Sequence, residues 1–369
     1  MKNNRKELIE IFQQRKHNHL NVVDLFAGCG GLSVGFKKAG FNILAAVDFD
    51  KDSIDSLKHN KVTKNPINID LFDPKAIDKI SQFIDLGCID LVIGGPPCQG
   101  FSLTGPRNYD DKRNKLYKSM KDLVKKSKPK AFLIENVKGM ATLYNGNVKQ
   151  DIINEFSLLG YNVFSDILNS KHYCVPQSRE RLFFVGIRKD INSNFNFPEK
   201  ILSEKSFVTC RDAISDLPSL DDLIELKKYT KKPQSVYQEL IRKNSKRLTN
   251  HLPTNHTQKV IEVIKQVPEG GNHKDLPPGV GSSRKFNEAW TRYHGDKPSR
   301  TIDTGHRNHF HYIYNRVPSI RENLRLQSFP DTFELSGSKT SQNIQIGNAV
   351  PVLLAKVIAE KIYEQIKDN

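Results

Sequence analysis

The sequence predicts an α/β fold built on a parallel β-sheet, followed by a second, less regular domain. In the first half of the chain, short apolar segments alternate with helix-length amphipathic segments, the pattern of strands joined by crossover helices. After about Asp190 this alternation fades into a region rich in Lys, Pro, Asn and His. Helical periodicity returns in PVLLAKVIAEKIYEQI, where Pro351 suits the first turn of a helix. A chain of 369 residues is long enough for two domains.

Each candidate element can be justified in chain order. The candidate strands are LNVVDLF, NILAAVD, IDLVIGG, AFLIENV and RLFFVGI, all apolar runs that end near turn-forming or polar residues. The helix candidates between them include LSVGFKKAG and VKQDIINEFSLLG. We therefore assign residues 1–190 together with 336–369 to one domain, and residues 191–335 to a second domain.

Charge and composition narrow the classes of function. The 57 Lys and Arg against 41 Asp and Glu give a formal net charge of +16, which favours an anionic partner. A mean hydropathy of −0.54 and the lack of a long apolar run exclude a membrane span, and the charged N-terminus is not typical of a signal peptide. The five cysteines are scattered and never spaced as C-x-x-C, so we expect reduced thiols, no metal and a cytoplasmic protein.

A glycine-rich segment, DLFAGCGGLSVGF, follows the first candidate strand. Gly28, Gly30 and Gly31 allow the backbone to approach a ligand closely at the start of a helix, which Gly40 would end. A dinucleotide fingerprint needs a third glycine where Ser33 stands. A standard nicotinamide site is therefore disfavoured, although this segment alone does not exclude it.

Two acids and an aromatic residue follow the next strand-like segments. Asp48 ends the second candidate strand, where a carboxylate suits ribose hydroxyls, and the adjacent Phe49 suits stacking on an adenine. Asp70, in NPINIDLFD, suits an exocyclic amino group as hydrogen-bond acceptor. The competing interpretation of each acid is a helix cap.

A cysteine and a glutamate fall at the carboxyl ends of two other candidate strands, where open α/β folds bind their ligands. They are Cys98 in GGPPCQGFS and Glu135 in ENV. A thiolate beside a carboxylic acid suits a pyrimidine, because sulfur can add to C6 while the acid protonates N3, which makes C5 nucleophilic. Taken singly, a buried structural cysteine or a strand-end glutamate is as good an interpretation; the combination favours catalysis.

Six segments in order carry a family resemblance: DLFAGCGGLSVGF, GGPPCQGFS, ENV, QSRERLFFVG, RENLRLQSFPDTF and QIGNAVP. Over essentially its whole length the chain resembles bacterial cytosine-C5 DNA methyltransferases of type II restriction-modification systems. The resemblance implies a doubly wound, Rossmann-like methyltransferase domain and a smaller, irregular target-recognition domain. It also implies S-adenosylmethionine as donor, S-adenosylhomocysteine as product, and a flipped-out cytosine in double-stranded DNA as substrate.

The resemblance also assigns roles to residues. Cys98 resembles the nucleophile and Glu135 the N3 proton donor, and Arg179 and Arg181, which alternate in QSRER, would bind cytosine O2 and organise the nucleophile region. The matching donor-binding positions are Phe26, Ala27, Gly28, Gly30, Gly31, Asp48, Phe49, Asp70, Leu71, Pro97, Leu116, Asn348 and Ala349. The segment after Cys98, QGFSLTGPRNYDDKRNKLY, is long enough to close over DNA.

DNA contacts are expected in the variable region and beside the nucleophile. The candidates are Gln99, Ser102, Arg292, Arg300 and Arg307. A neighbouring group of histidines, which lacks cysteine or acidic companions, suits DNA contact or packing better than metal binding; it comprises His294, His306, His309 and His311. Ser319 and Glu322 form a capping box that sets Arg321 and Arg325 four residues apart on a helix, facing either DNA phosphates or structural acids.

Three rival functions are kept open. A related group with the same PPCQ and ENV segments methylates cytosine in transfer RNA, and the long variable region argues for DNA instead. A nicotinamide oxidoreductase is disfavoured by Ser33, and a DNA-binding module without catalysis is disfavoured by the presence of Cys98 and Glu135. We expect a DNA-associated monomer whose functional partner, without required contact, is a cognate restriction endonuclease.

Overall fold

The computed structural model describes residues 4–15, 20–97, 117–220, 227–280, 289–305 and 308–368. The chain divides into two compact units. The sheet unit comprises Gln13–Asn169, Glu180–Glu199 and Leu354–Asn369, and the helical unit comprises Met1–Phe12, Ser170–Arg179 and Lys200–Leu353. The limits of the two functional domains stay a prediction. They are residues 1–190 with 336–369 for the first domain and 191–335 for the second.

The regular elements are numbered in chain order. The strands are β1 Asn21–Leu25, β2 Asn42–Asp48, β3 Pro66–Asn68, β4 Leu91–Gly94, β5 Ala131–Val137, β6 Tyr161–Asn169, β7 Glu180–Arg188, β8 Thr291–Arg292 and β9 His309–Phe310. The helices are α1 Arg5–Phe12, α2 Gly31–Lys38, α3 Lys51–His59, α4 Ala76–Ile80, α5 Tyr117–Ser127, α6 Asn147–Leu158, α7 Cys210–Ile214, α8 Val236–Ile241, α9 Gln258–Gln266, α10 Ile320–Leu326, α11 Lys339–Asn348 and α12 Val352–Ile366.

The sheet unit contains a seven-stranded sheet in the order β3-β2-β1-β4-β5-β7-β6. The first five of these strands are parallel, whereas β7 runs antiparallel to both β5 and β6. The predicted parallel sheet with crossover helices is therefore confirmed for these five strands, and β7 departs from it. The chain passes from β6 to β7 without a crossover helix, and a short connection joins antiparallel neighbours.

The segment that forms β6, YNVFSDILN, was missed because most of its side chains are only partly buried and it lacks a continuous apolar run.

The centre of the sheet is apolar because both faces are covered. All residues of β4 are buried, as are six of the seven in β5, which fits the continuous apolar runs expected of interior parallel strands. One apolar cluster packs against the sheet from α4, α5 and α6 and includes Ile80, Leu123 and Phe156. Gly186 of β7 faces Phe132 of β5, and a Cβ there would lie 1.9 Å from the Phe132 ring, so this pairing requires glycine.

The parallel strands place their carboxyl ends at one edge of the sheet, and caps fix the helices that follow them. Asp50 accepts a hydrogen bond from the Ser53 amide at 2.8 Å, which starts α3 directly after β2. Gly40, with φ of 97°, ends α2 as expected from the sequence. The residues between the strand ends and these caps form the candidate site.

The helical unit is built from short helices, and its only sheet within the described residues is the parallel pair β8 and β9. A small apolar core in this unit comprises Ile264, Val267, Phe310 and Val317. The capping box predicted at α10 is present, because Ser319 and Glu322 each accept the other's amide hydrogen bond. Across the described residues, no helix combines the length and apolar character needed to span a bilayer.

Candidate functional site

The loop between β1 and α2 has a strained backbone. Phe26 adopts a left-handed conformation with φ of 59°, which is costly for a bulky residue and typical of functional sites. The Ala27 amide donates to the Val47 carbonyl at 3.0 Å, which ties this loop to the end of β2. At Gly30, with φ of 95°, an added Cβ would lie 2.7 Å from Leu57. This loop and the start of α2 at Gly31 therefore lie at the carboxyl edge of the sheet.

Asp48 lies at the end of β2 and faces this loop. Its Oδ2 accepts the Gly28 amide at 2.7 Å and its Oδ1 accepts the Asp50 amide at 2.9 Å. Burial raises the pKa of the carboxyl, and these two hydrogen bonds oppose that effect. A carboxylate held in this way keeps a lone pair on each oxygen for a further hydroxyl donor.

Two neighbouring residues are exposed at the same edge. The Phe49 side chain, directly after Asp48, is 70% exposed, which is unusual for a large apolar group. Asp70 follows the neighbouring strand β3 and is also exposed; its Oδ1 accepts the Phe72 amide at 2.9 Å. Leu71 is buried in the core of the sheet unit. An aromatic face and a carboxylate beside Asp48 match the needs of a nucleoside.

A buried acid that the sequence interpretation missed lies in β1. Asp24 is fully buried, its Oδ2 accepts the Ser33 hydroxyl at 2.6 Å, and burial raises the pKa of the carboxyl to about 7. The residue that breaks the dinucleotide fingerprint therefore holds this acid. The signal was an aspartate inside an apolar strand, because such an acid needs a specific partner.

The glutamate of ENV and one arginine of QSRER form an ion pair. Arg181 Nε lies 3.0 Å from Glu135 Oε1, and both side chains are largely buried. Glu135 pairs with Phe183 across β5 and β7 while Arg181 pairs with Val137, so the two side chains are diagonal neighbours on one face of the sheet. Burial lowers the pKa of Arg181 while the carboxylate raises it, and an arginine stays charged in either case.

The residues that lead to Cys98 pass close to this pair. A Cβ at Gly94 would lie 2.4 Å from the Leu25 carbonyl, and one at Gly95 would lie 2.9 Å from Glu135 Oε2. Asn136 donates from Nδ2 to the Pro96 carbonyl at 3.2 Å. The described part of this segment ends at Pro97. Cys98, Gln99, Ser102 and Leu116, together with the segment expected to close over DNA, lie outside the described residues.

Arg179 belongs to the helical unit and precedes β7, so it does not share a strand with Arg181. It is buried and donates to the Ile302 carbonyl at 3.2 Å and the Gly347 carbonyl at 3.0 Å. At Gly347 an added Cβ would lie 2.6 Å from the Asp303 carbonyl, so QIGNAVP needs glycine there. The next two residues differ, since Asn348 is exposed and Ala349 is buried.

The residues of the helical unit that were predicted to contact DNA differ in their exposure to solvent. Arg300 is exposed, and Arg307 lies outside the described residues. Arg292 is 5% exposed and donates to the carbonyls of Val267, His311 and Ile264, so its guanidinium is engaged within the unit. This burial argues against Arg292 as a base or phosphate contact. No local sequence feature indicated this burial, because an arginine in a basic, aromatic-rich segment is usually exposed.

The histidines of the variable region also differ in their exposure to solvent. His309 and His311 are buried, which fits packing rather than DNA contact, and burial lowers the pKa of His311 to about 3. His294 is partly exposed and its Nδ1 lies 3.8 Å from Glu269, whereas His306 lies outside the described residues. Among the residues that the structure describes, no group of His, Cys, Asp or Glu has the arrangement of a metal site.

The two arginines of α10 have a structural role. Arg325 is fully buried between Asp216 and Asp331, and Arg321 donates to the Thr249 and Phe333 carbonyls. Of the two alternatives that the sequence left open, scaffold pairing is the one that applies.

Comparisons with known proteins agree with this geometry. Residues 20–364 match the family model of the C-5 cytosine-specific DNA methylase. The type II methyltransferase M.DdeI of Desulfomicrobium norvegicum is 37% identical, over 93% of this chain and 88% of its own. The type II methyltransferase M1.HphI of Haemophilus parahaemolyticus is 38% identical, over 93% of this chain and 86% of its own.

Solved structures show the same fold. A protein described as a DNA modification methyltransferase encoded within an E. coli prophage is similar with a TM-score of 0.74 and 27% identity, covering 94% of this chain and 99% of that one. The S. pombe Dnmt2 methyltransferase has a TM-score of 0.58 at 18% identity over 95% of this chain and 99% of that one, which supports the Rossmann-like fold alone. With the family model spanning nearly the whole sequence, this chain belongs to the C-5 cytosine-specific DNA methylase family.

Proposed function

We propose that this type II DNA cytosine-5 methyltransferase acts on a flipped-out cytosine of a specific duplex sequence through a covalent bond between Cys98 Sγ and C6 of the base. The observation that carries the proposal is the Glu135–Arg181 ion pair, which lies beside Gly95, three residues before Cys98. A cytosine inside a duplex is out of reach of a thiolate in a cleft, so the base must leave the stack, at a cost of a few kcal/mol.

The proposed chemistry divides between the thiolate and the acid. The Cys98 thiolate adds to C6 while N3 takes a proton from Glu135, and the electron pair of the C5–C6 double bond becomes available at C5. C5 then takes the methyl group, which the donor would release as its sulfur–methyl bond breaks. The C5 proton passes to a base, the C6–S bond breaks to restore the double bond, and the N3 proton returns to Glu135. Arg181 orients the Glu135 carboxyl group through Oε1, and Oε2 lies on the side of Gly95, where the chain leads to Cys98.

Members of this family take the methyl group from S-adenosylmethionine, and we propose that the carboxyl edge of the sheet binds it. The residues fit this donor, because the left-handed backbone of Phe26 and Gly28 keeps this loop at the strand ends, and Asp48 is oriented by the Gly28 and Asp50 amides. The exposed ring of Phe49 suits the adenine, and Asp70 has a free oxygen for its amino group. We assign the remaining donor contacts to Ala27, Gly30, Gly31, Leu71, Pro97, Leu116, Asn348 and Ala349.

We assign target recognition to the helical unit. Arg300 is exposed there together with Lys297, and exposed cations of this kind hold phosphates or base edges. Arg307, Gln99 and Ser102 stay proposed DNA contacts. The type II names of the relatives place them in restriction-modification systems, and we propose that this enzyme likewise protects DNA from a cognate endonuclease.

The first test is bisulfite sequencing of plasmid DNA from cells that express the wild type or Cys98→Ser. A serine hydroxyl is a far poorer nucleophile near neutral pH, so we expect a recurrent protected cytosine only with the wild type. Cys88→Ser is the matched control, because Cys88 is exposed in the same unit and lies just before β4, at the opposite end of that strand from Gly94. A duplex carrying 5-fluorocytosine at that position should trap the wild type and not Cys98→Ser.

Two outcomes would contradict the proposal. Unchanged protection with Cys98→Ser would exclude the covalent mechanism. If the wild type protected no cytosine in DNA yet bound the methyl donor, a transfer RNA substrate would become the better assignment, and methylation of purified transfer RNA would test it directly.

A further inference from the structure

A basic groove in the sheet unit lies away from the proposed donor site. It has a volume of about 600 Å³ and is lined by Lys37, Lys58, Lys61 and Lys64 above an apolar floor that includes Ile43 and Pro66. The groove is formed where β2 and β3 begin, whereas Asp48 is the last residue of β2 and Asp70 follows the end of β3. Because β2 has seven residues, its two ends are about 20 Å apart, so the groove is a separate site.

One of the four lysines explains how this groove is built. Lys37 Nζ donates to the Lys61 carbonyl at 2.7 Å and to the Val62 carbonyl at 3.1 Å, just beyond the end of α3. Partial burial lowers the pKa of Lys37. Its ammonium thus satisfies main-chain acceptors at a helix C-terminus, and we regard it as part of the scaffold.

The other three lysines are exposed and lie within seven residues of the chain. Lys58 is 3.9 Å from Asp55, and within the described ranges no carboxylate pairs with Lys61 or Lys64. The segment between them is fixed, because Thr63 donates to the Ile43 carbonyl at 2.7 Å and Asn65 to the Leu44 carbonyl at 2.9 Å. The backbone that carries Lys61 and Lys64 is therefore fixed, and of the three lysines Lys58 alone has an acid, Asp55, as a partner within the described ranges.

We propose that this groove binds the phosphate backbone of duplex DNA outside the target sequence. Three cations that line this groove complement a regular row of phosphates, and the release of counterions from DNA makes such contacts favourable. The enzyme's substrate is itself this polyanion, so the partner is present wherever the enzyme works. A second contact with the backbone would hold the enzyme on long DNA between encounters with its target.

The test uses a 40-base-pair duplex made only of A·T pairs, which contains no cytosine. Its affinity for wild type and for Lys58→Gln/Lys61→Gln/Lys64→Gln is measured by fluorescence anisotropy at several NaCl concentrations. We expect the variant to bind roughly ten-fold more weakly at low salt, and its log–log salt slope to be smaller by up to about 3, since each phosphate contact contributes about 0.9. Binding to this duplex requires no methyl transfer, so the result is independent of the catalytic proposal.

The matched control is Lys75→Gln/Lys125→Gln/Lys128→Gln, which removes the same charge from exposed lysines of the same unit away from the groove. Lys128 also matches Lys61 in backbone, since their φ values are 46° and 50°. The control should keep the wild-type salt slope. An unchanged slope in the groove variant, or an equal decrease in the control, would overturn the proposal, because the effect would then be absent or a property of net charge alone.

Discussion

Arg181 and Arg325 both carry a buried guanidinium group, but one lies at the proposed site and the other is part of the scaffold. Arg181, in the sheet unit, has one carboxylate partner, Glu135, at the edge where substrate chemistry is proposed. Arg325, in the helical unit, has no exposed atoms and is held by Asp216, Asp331 and the Ala213 carbonyl. The difference teaches that the number of internal partners, rather than burial alone, separates a structural arginine from one that can act on a ligand.

Other arginines of the helical unit resemble Arg325 in this respect. Arg316 makes a two-bond contact with Glu322, with both distances at 2.7 Å, and Arg292 is surrounded by carbonyl groups. These arginines therefore stabilise the irregular fold of the helical unit itself. A unit with short helices and little sheet uses buried ion pairs and carbonyl contacts where the sheet unit uses an apolar core.

The largest effect is expected from Arg325→Met. The substitution leaves the carboxylates of Asp216 and Asp331 buried without this partner, which typically costs about 3–5 kcal/mol. Urea unfolding should show this loss in the free energy of unfolding. The control is Arg247→Met, because Arg247 pairs with Glu334 at 2.9 Å on the surface and should matter little. Equal stability of the two variants would refute the assignment of Arg325 to the scaffold.

Arg181→Met should affect activity more than stability, in contrast to Arg325→Met. We expect a decrease in kcat of about 100-fold, because Glu135 loses the group that orients it. The loss of stability should be smaller than in Arg325→Met, because Glu135 keeps some exposure where Asp216 and Asp331 have none. The readout that separates catalysis from structure is a double-mutant cycle with Glu135→Gln. If the two residues act together, the double variant should be hardly slower than the single ones. Fully multiplicative losses would mean that the pair does not work as a unit.

The two units should also respond to pH in opposite directions. The pKa of Asp24 is raised by burial to about 7 from 3.8, so the folded protein holds more protons and loses stability as pH rises from about 4 to 7. The pKa of His311 is lowered by burial to about 3 from 6.5, so the unfolded chain holds more protons and stability falls as pH decreases from about 6.5 to 3.

Thermal unfolding across this pH range tests both signs. Asp24→Asn keeps an acceptor for the Ser33 hydroxyl and should gain stability relative to wild type as pH rises towards 8. His311→Asn keeps an acceptor for the Ile313 and Tyr314 amides and should gain relative to wild type as pH falls towards 4. Curves that stay parallel to the wild type would show that neither group titrates as its burial implies.

These contrasts also show what could be predicted from the sequence. Strand ends and capping residues are local features, so β2 and β5, the capping box of α10 and the positions of Asp48 and Glu135 were predicted correctly as structure. The reversal of β7 was missed, because strand direction depends on the length of a connection rather than on side-chain pattern.

Burial of polar groups was the harder property to predict. Nothing adjacent to Arg292 in the sequence indicates that carbonyls from Ile264, Val267 and His311 converge on it, since these partners are 19 to 28 residues away. Asp24 offered a better signal, as a charged residue within an apolar strand. Sequence patterns thus predict local structure well and give little information about which distant groups a long polar side chain meets.

The smallest expected effect concerns Arg292 and Arg300, eight residues apart in the same basic segment. Arg300→Gln removes an exposed cation, so DNA affinity should fall a few-fold, the salt slope should decrease by about 0.9, and stability should not change. Arg292→Gln should lower the free energy of unfolding and leave the salt slope unchanged, because its guanidinium bonds to carbonyls inside the unit. If Arg292→Gln instead reduced the slope while the fold stayed equally stable, burial would be a poor guide to function here, and the distinction drawn between Arg325 and Arg181 would fail with it.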